Sequence, residues 1–92
     1  MLTTALEGNV VRLTGELDVY AVVELHQVFA QRLDALPLEL GLADVDRVDG
    51  AGAQLLLWLQ RQHQARGLTL GVRDVSDAVR AALTFLHFDG LR

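Results

Sequence analysis

The segment Asp49-Gly50-Ala51-Gly52 is the strongest local candidate for binding chemistry in this sequence. Two glycines at a predicted strand-to-helix junction allow a sharp turn that exposes the first amide groups of the helix. Amide groups at such a helix start can hold an anion. The segment lacks the lysine and hydroxyl of a phosphate-binding loop and the glycine spacing of a dinucleotide site. A nucleotide or other small-molecule site at this turn stays as a competing interpretation.

The other polar residues do not form a catalytic set. Asp44, Asp46 and Asp49 could do acid/base chemistry, but they share one predicted loop with Arg47, which favours a solvated loop containing one helix-capping aspartate. Ser76 is the only serine, and its position predicts a helix N-cap instead of a triad nucleophile. We therefore predict that the protein is not an enzyme and has no catalytic residues.

The three histidines lie on three different predicted helices and do not form a metal site. His26, His63 and His87 each lack a second ligand at helical spacing, and the chain has no cysteine. We expect His63 to be packed and neutral on the inner side of the second helix, and the other two to be surface residues. We predict no metal and no cofactor.

The second predicted helix has one apolar face and two large apolar residues outside it. On a helical wheel one face, which should meet the sheet, contains Gly52, Leu55, Leu56, Leu59 and His63. Leu57 and Trp58 fall outside this face. Two interpretations stay open: the helix is buried on more than one side, or Leu57 and Trp58 form an exposed patch that binds a partner.

Composition limits the class of protein. The chain has 92 residues, of which 51% are hydrophobic, and a formal net charge of −4 with every base an arginine. We expect a single domain over residues 1–92, and the acidic balance argues against nucleic-acid binding. No apolar run approaches the length of a membrane span, and we identify no secretory signal. Together with the lack of cysteine, this predicts a cytoplasmic protein without direct membrane insertion.

Periodicity predicts the order β-β-α-β-α-β-α. The predicted strands are Leu2 to Glu7, Asn9 to Thr14, Leu38 to Ala43 and Leu68 to Val72, the first two forming an antiparallel hairpin. A polar loop is expected from Asp44 to Gly50. Strands separated by helices imply parallel crossovers, so the fold class is α/β, with a four-stranded mixed sheet and three helices.

The predicted helices have recognisable ends. The first begins after the N-cap Asp18 and continues through Leu36 until Pro37 stops it. The second runs from about Ala51 to Ala65, with Arg66 in the last turn and Gly67 closing it. The third follows Ser76 and has one apolar face, formed by Val79, Ala82, Leu83 and Leu86.

Two stretches resemble a known family. The run Val10-Val11-Arg12-Leu13-Thr14-Gly15-Glu16-Leu17-Asp18 is similar to the opening of STAS domains, the sulfate-transporter and anti-sigma-factor-antagonist modules. The run Val45 to Gly52, with Leu55 to Leu59 and Gly67, resembles that family's signature loop and second helix, and Asp74 to Arg80 with Leu83 resembles its last helix. The resemblance implies a STAS-like α/β fold and a protein that is not an enzyme.

The resemblance also implies a regulatory site that this chain has altered. In anti-sigma-factor antagonists the signature loop carries two serines, of which the second is phosphorylated by a partner kinase; Gly50 and Ala51 replace them here. Ala51 has no hydroxyl, so our hypothesis is that the domain behaves as a permanently unphosphorylated member. Gly41, at a strand position that is often polar in the family, is a lesser departure.

The resemblance suggests a partner surface and three kinds of partner. The residues expected to bind the partner are Asp18, Tyr20, Asp49, Gly50, Ala51, Gly52, Ala53, Leu57 and Trp58. The partner could be an anti-sigma-type serine kinase, a chemotaxis or two-component protein of a bacterial signalling complex, or the ATPase of a lipid-transport ABC complex. The chain ends at Arg92, soon after the third helix, which we expect to fit the last two better. A homodimer is also compatible with the sequence.

Overall fold

The computed structural model describes residues 2–85, with the side chains of residues 78, 82, 83 and 85 outside the description. Four strands form one sheet in the order β1-β2-β3-β4: β1 is Thr3–Glu7, β2 is Val10–Leu17, β3 is Glu39–Val48 and β4 is Gly71–Arg73. The first pair is antiparallel and the other two pairs are parallel. The predicted hairpin and the mixed four-stranded sheet are confirmed.

Three helices connect and follow the strands. They are α1, Val19–Ala30; α2, Gly50–Gln64; and α3, Asp77–Phe85. Both α1 and α2 join neighbouring parallel strands, in the same direction along the sheet, and they contact each other, which places them on the same face. The third helix packs against β3.

The core lies between the sheet and the helices. Its fully or nearly fully buried apolar residues include Val11, Leu13, Leu17, Leu25, Phe29, Leu40, Leu42, Leu55, Leu56, Leu59 and Val79. The predicted inner face of α2 is confirmed, since all five of its residues are buried. The burial of Val79 agrees with the apolar face predicted for α3, whereas Leu86 and the side chains of Ala82 and Leu83 lie outside the described part of the chain.

The first helix is shorter than predicted. It ends at Ala30, and a 3₁₀ turn, Leu33–Ala35, precedes Pro37. Leu33 and Leu36 are still half-buried. Residues three apart face the same side in a 3₁₀ turn as they nearly do in an α-helix, so the apolar spacing alone could not separate the two.

The third strand is longer than predicted and includes most of the expected loop from Asp44 to Gly50. Its second half pairs with β2, where Thr14 faces Asp44 and Leu17 faces Val48, and the register shifts twice along the way. Each shift leaves an extra residue on β3, which makes the buried residues Val45 and Val48 three positions apart. These bulges remove the two-residue alternation that indicates a strand.

The ends of α2 and the start of α3 follow the predictions closely, whereas β2 continues to Leu17, three residues beyond its predicted end at Thr14. Gly67 has a φ of +70° and ends the turn after α2, and the Arg66 guanidinium donates to the Gln62 carbonyl at 2.9 Å. The Ser76 hydroxyl accepts a hydrogen bond from the Val79 amide at 3.2 Å, which confirms the predicted N-cap. The same hydroxyl donates to the Val45 carbonyl at 3.1 Å and so ties the start of α3 to β3. The fourth strand begins later than predicted, at Gly71.

Candidate functional site

The starts of α1 and α2 are joined by one side chain, that of Asp49. Its Oδ1 accepts a hydrogen bond from the Gly52 amide at 2.9 Å and thereby caps α2. Its Oδ2 accepts from the Val19 amide, the first of α1, at 3.0 Å. The Asp49 amide in turn donates to the Leu17 carbonyl at 3.1 Å. One carboxylate therefore satisfies amide donors of two helices, which is where a negative charge is most favourable.

The other aspartate of the predicted site, Asp18, caps α1 alone. Its Oδ1 accepts from the amides of Tyr20 and Ala21, both at 3.1 Å. This confirms the predicted N-cap. The two caps lie where the parallel strands β2 and β3 end and where α1 and α2 begin, so both are at the same end of the sheet.

Removing the Asp49 carboxylate should loosen both helices. We expect Asp49→Ala to lower the free energy of unfolding by about 2 kcal/mol, because an N-cap and a second amide acceptor are lost together. Asp49→Asn retains one acceptor oxygen, so its loss should be about half as large. Asp18→Ala is the matched control at about 1 kcal/mol, because both amides that Asp18 accepts from lie in the first turn of α1 and share one carboxylate oxygen. Urea unfolding of the three variants measures these differences; equal losses for Asp49→Ala and Asp18→Ala would contradict the double role.

Gly52 and Ala53 are buried on the side of α2 that packs against the sheet. A Cβ atom on Gly52 would lie 2.2 Å from the Leu17 carbonyl oxygen and 3.0 Å from the Leu17 carbonyl carbon. The helix therefore rests directly on the end of β2, which only glycine permits. Ala53 is 8% exposed and belongs to the core. Burial leaves both residues little surface for a partner.

Gly50 and Ala51 form the outer side of the same turn. Gly50 is exposed, and a Cβ atom there would meet no heavy atom within 4 Å. Ala51 is half-exposed at the second position of α2. Because the alanine side chain is a methyl group, Ala51 presents a partly exposed methyl group at this position and no hydroxyl.

Trp58 is less exposed than a free surface patch would be, because α1 covers part of it. The His26 and Trp58 rings lie with their centroids 4.5 Å apart at an interplanar angle of 55°. Leu57 and Trp58 are both half-buried and pack against the core. The helix is therefore buried on more than one side. Of the two interpretations left open by the sequence, the structure favours burial on more than one side, because the neighbouring helix α1 covers part of the tryptophan.

Leu57 and Trp58 point to different sides of α2. Successive helical residues are turned by about 100°, whereas residues seven apart return to nearly the same stripe. Ala51 and Trp58 therefore share the side that faces α1, and Leu57 does not. The structure brings Ala51 and Trp58 together as one surface and separates Leu57 from it.

The first helix adds exposed apolar residues that the sequence analysis did not single out. Val19, Tyr20 and Val23 are 55%, 89% and 68% exposed. Val19, Val23 and His26 follow one stripe of the helix, and because His26 contacts Trp58 this stripe borders α2. In the sequence, Val19 and Val23 form an apolar pair at i and i+4 on the otherwise polar side of α1. This pair could have indicated the exposed stripe. We call the residues Val19, Tyr20, Val23, Gly50, Ala51 and Trp58 the helix-pair surface.

The remaining candidates for chemistry have structural roles or stand apart. His63 is fully buried and hydrogen-bonded on both ring nitrogens, as expected for a packed residue. Asp44 and Asp46 are exposed on β3. Within residues 2–85 no group of three histidine, cysteine, aspartate or glutamate side chains is arranged to hold a metal, and no helix is long and apolar enough to cross a membrane. His87 lies outside the described residues.

Solved structures show which class of fold this is. The unphosphorylated anti-sigma factor antagonist SpoIIAA is similar with a TM-score of 0.75 and 21% identity, over 98% of this chain and 83% of that one. The crystal structure of Mglu is similar with a TM-score of 0.62 and 27% identity, over 82% of this chain but 20% of that one. The sheet and its three helices therefore form a STAS-type α/β fold.

The sequence itself matches a family within this class. The family model described as "Mlab, STAS domain" matches residues 1–92. The chain belongs to this MlaB-type STAS domain family, which confirms the resemblance drawn from the sequence motifs. No curated protein matches the sequence.

Proposed function

We propose that this domain is a non-catalytic interaction module that regulates a partner protein by binding it through the helix-pair surface, with Asp18 and Asp49 at its rim. The observation that carries the proposal is the exposure of Val19, Tyr20 and Val23 beside Ala51, at the joined starts of two helices. Large apolar side chains that stay exposed next to a half-buried tryptophan are typical of a protein contact. Gly52 and Ala53 support this surface from the core, and Leu57, on another side of α2, lies outside it.

The kind of regulation we propose follows from Ala51, which stands where the signature loop of anti-sigma-factor antagonists has the phosphorylated serine. A phosphoryl group at this helix start would add up to two negative charges to the contact. Ala51 cannot accept one, so the domain is always competent to bind. The amount of the domain or of its partner, instead of its phosphorylation at this position, then decides how much complex forms.

The test is a comparison of Ala51→Glu with Ala51→Ser. We expect wild type and Ala51→Ser to capture the same partner from the native lysate, because serine adds a small neutral group at a half-exposed position. Ala51→Glu should weaken binding about tenfold or more in a calorimetric titration with that partner, because it places an uncompensated charge in the contact. Equal affinities of the three proteins would remove Ala51 from the binding surface.

The identity of the captured protein separates the proposed partners. Recovery of a serine kinase or of a chemotaxis or two-component protein by wild type and not by Ala51→Glu supports a signalling module. Recovery of an ABC ATPase favours the second candidate, a STAS subunit of a lipid-transport ABC complex.

The competing class is a small-molecule site at the turn before α2. Thermal unfolding with nucleotides tests it, because a ligand at 100 times its dissociation constant adds about 2.7 kcal/mol to stability. We expect no change in Tm. A nucleotide-dependent rise in Tm that Gly50→Glu abolishes would replace the interaction module with a nucleotide site.

A further inference from the structure

The outer edge of β1 is unprotected within the described residues 2–85. This strand pairs with β2 on one side, and all five of its residues are exposed. Natural sheets usually protect such an edge with a proline, a lysine or a bulge. The sequence Thr-Thr-Ala-Leu-Glu has no lysine or proline, and its pairing with β2 is regular. An edge of this kind is suited to pair with another strand.

The hairpin turn determines which backbone groups face outwards. Glu7 and Val10 flank a two-residue turn in which Gly8 has a φ of +62°, as in a type II′ turn. The residues that flank such a turn exchange hydrogen bonds, and hydrogen-bonded pairs alternate along an antiparallel ladder. Ala5 and Glu7 therefore direct their amide and carbonyl groups to β2. Thr4 and Leu6 direct theirs to the free edge.

A groove of about 600 Å³ lies between β1 and α1, next to this edge. Leu2, Thr3 and Thr4 line it from the strand, and Tyr20, Glu24 and Val28 are among the residues that line it from the helix. The helix residues are spaced by four and form one stripe on the side of α1 that borders the groove. A strand added beside β1 would lie next to this groove. Leu6, which is 42% exposed, projects to the same face of the sheet as Thr4.

We propose that a second copy of this chain pairs with β1, antiparallel, about a twofold axis at Ala5. Thr4 of each copy then faces Leu6 of the other, and the outward amide and carbonyl groups of these two residues bond to each other. Leu6 of each copy enters the groove between β1 and α1 of the other copy. The interface is isologous, as in most homodimers, and joins the two sheets into one.

The charge of the strand selects a second copy and this orientation. Glu7 is the only charged residue of β1. In the antiparallel arrangement it faces Thr3 of the second copy, so no like charges meet. A parallel, in-register arrangement would place the two Glu7 carboxylates side by side, which is unfavourable. The strand is therefore complementary to itself in one orientation.

The proposed dimer interface and the helix-pair surface lie on different sides of α1. The groove faces β1, whereas Val19, Val23 and His26 border α2; Tyr20 is the residue that both surfaces share. The dimer is measured with the isolated 92-residue protein, without any partner. A failure of the protein to dimerise can therefore be told apart from a failure of the helix-pair surface to bind a partner.

The test is sedimentation analysis of wild type from low micromolar to millimolar concentration, with a pair of variants at Thr3. We expect a reversible dimer that Thr3→Glu weakens about tenfold, because it sets a carboxylate opposite Glu7 of the second copy twice per dimer. Thr3→Lys, at the same exposed position, should bind as tightly as wild type or more tightly. A wild type that stays monomeric throughout, or equal effects of the two variants, would overturn the proposal.

Hydrogen exchange gives a second, residue-level readout that does not depend on a variant. The Thr4 and Leu6 amides should become more protected as protein concentration rises, because they bond in the dimer alone. The Ala5 amide already bonds to β2 and should change much less. Concentration-dependent protection at other residues without protection at Thr4 and Leu6 would place the dimer elsewhere and refute this interface.

Discussion

Gly52→Ala should lower the free energy of unfolding by about 3 kcal/mol or prevent folding altogether. The added Cβ would lie 2.2 Å from the Leu17 carbonyl oxygen and 2.8 Å from the Leu17 side-chain Cγ. The carbonyl belongs to the backbone of a central strand and is also the acceptor for the Asp49 amide. It cannot rotate away as a flexible side chain would, so α2 must lift from the sheet. Urea unfolding or, if the variant is insoluble, the soluble yield measures the loss.

Gly50→Ala is the matched control in the same turn of the same helix. A Cβ there meets no heavy atom within 4 Å, and alanine has a higher helix propensity than glycine. We expect a gain in stability of about 0.5 kcal/mol or no change. Should Gly52→Ala prove as stable as Gly50→Ala, the close contact between α2 and β2 would be refuted.

His63→Leu should cost about 3 kcal/mol of stability. The ring is fully buried, its Nε2 accepts a hydrogen bond from the Leu38 amide at 3.0 Å, and its Nδ1 contacts the Leu59 carbonyl at 2.8 Å. Because an amide can only donate, Nε2 is the unprotonated nitrogen, and Nδ1–H donates to Leu59. Leucine fills much of the space but leaves the amide of Leu38, the residue directly before β3, buried without an acceptor.

Two further substitutions show whether the lost acceptor is the cause. His63→Gln keeps an oxygen acceptor on a side chain of similar length, so its loss should be smaller than that of His63→Leu. His26→Leu replaces an exposed histidine and should change stability by less than 1 kcal/mol. Urea unfolding of all three gives the comparison. Equal costs for His63→Gln and His63→Leu would mean that packing, and not the hydrogen bond to Leu38, accounts for the effect.

The parts of the fold that sequence patterns predicted are those with strong local signals. The inner face of α2 shows helical spacing from Gly52 to His63, and the caps Asp18 and Ser76 stand directly before their helices. The end of α2 at Gly67 can also be predicted without knowledge of the rest of the chain. These features depend on a few neighbouring residues, which is why the sequence alone was sufficient.

The parts that were missed depend on residues far apart in sequence. The second half of β3 is a strand because β2 lies beside it, and its bulges hide the alternation that would have revealed it. The cover over Trp58 comes from His26, on another helix. The exposure of Val19 and Val23 follows from how α1 lies against its neighbours. Local periodicity carries no information about any of these contacts.

The double hydrogen bond of Asp49 has a consequence for the thermodynamics of recognition. It fixes the starts of two helices to each other across 30 residues of sequence, so both halves of the helix-pair surface are ordered before any partner arrives. The entropy of arranging them is lost during folding and not during association. If the helix-pair surface binds a partner as proposed, loosening this link would return that entropic cost to the binding step and lower the affinity without removing any atom from the interface.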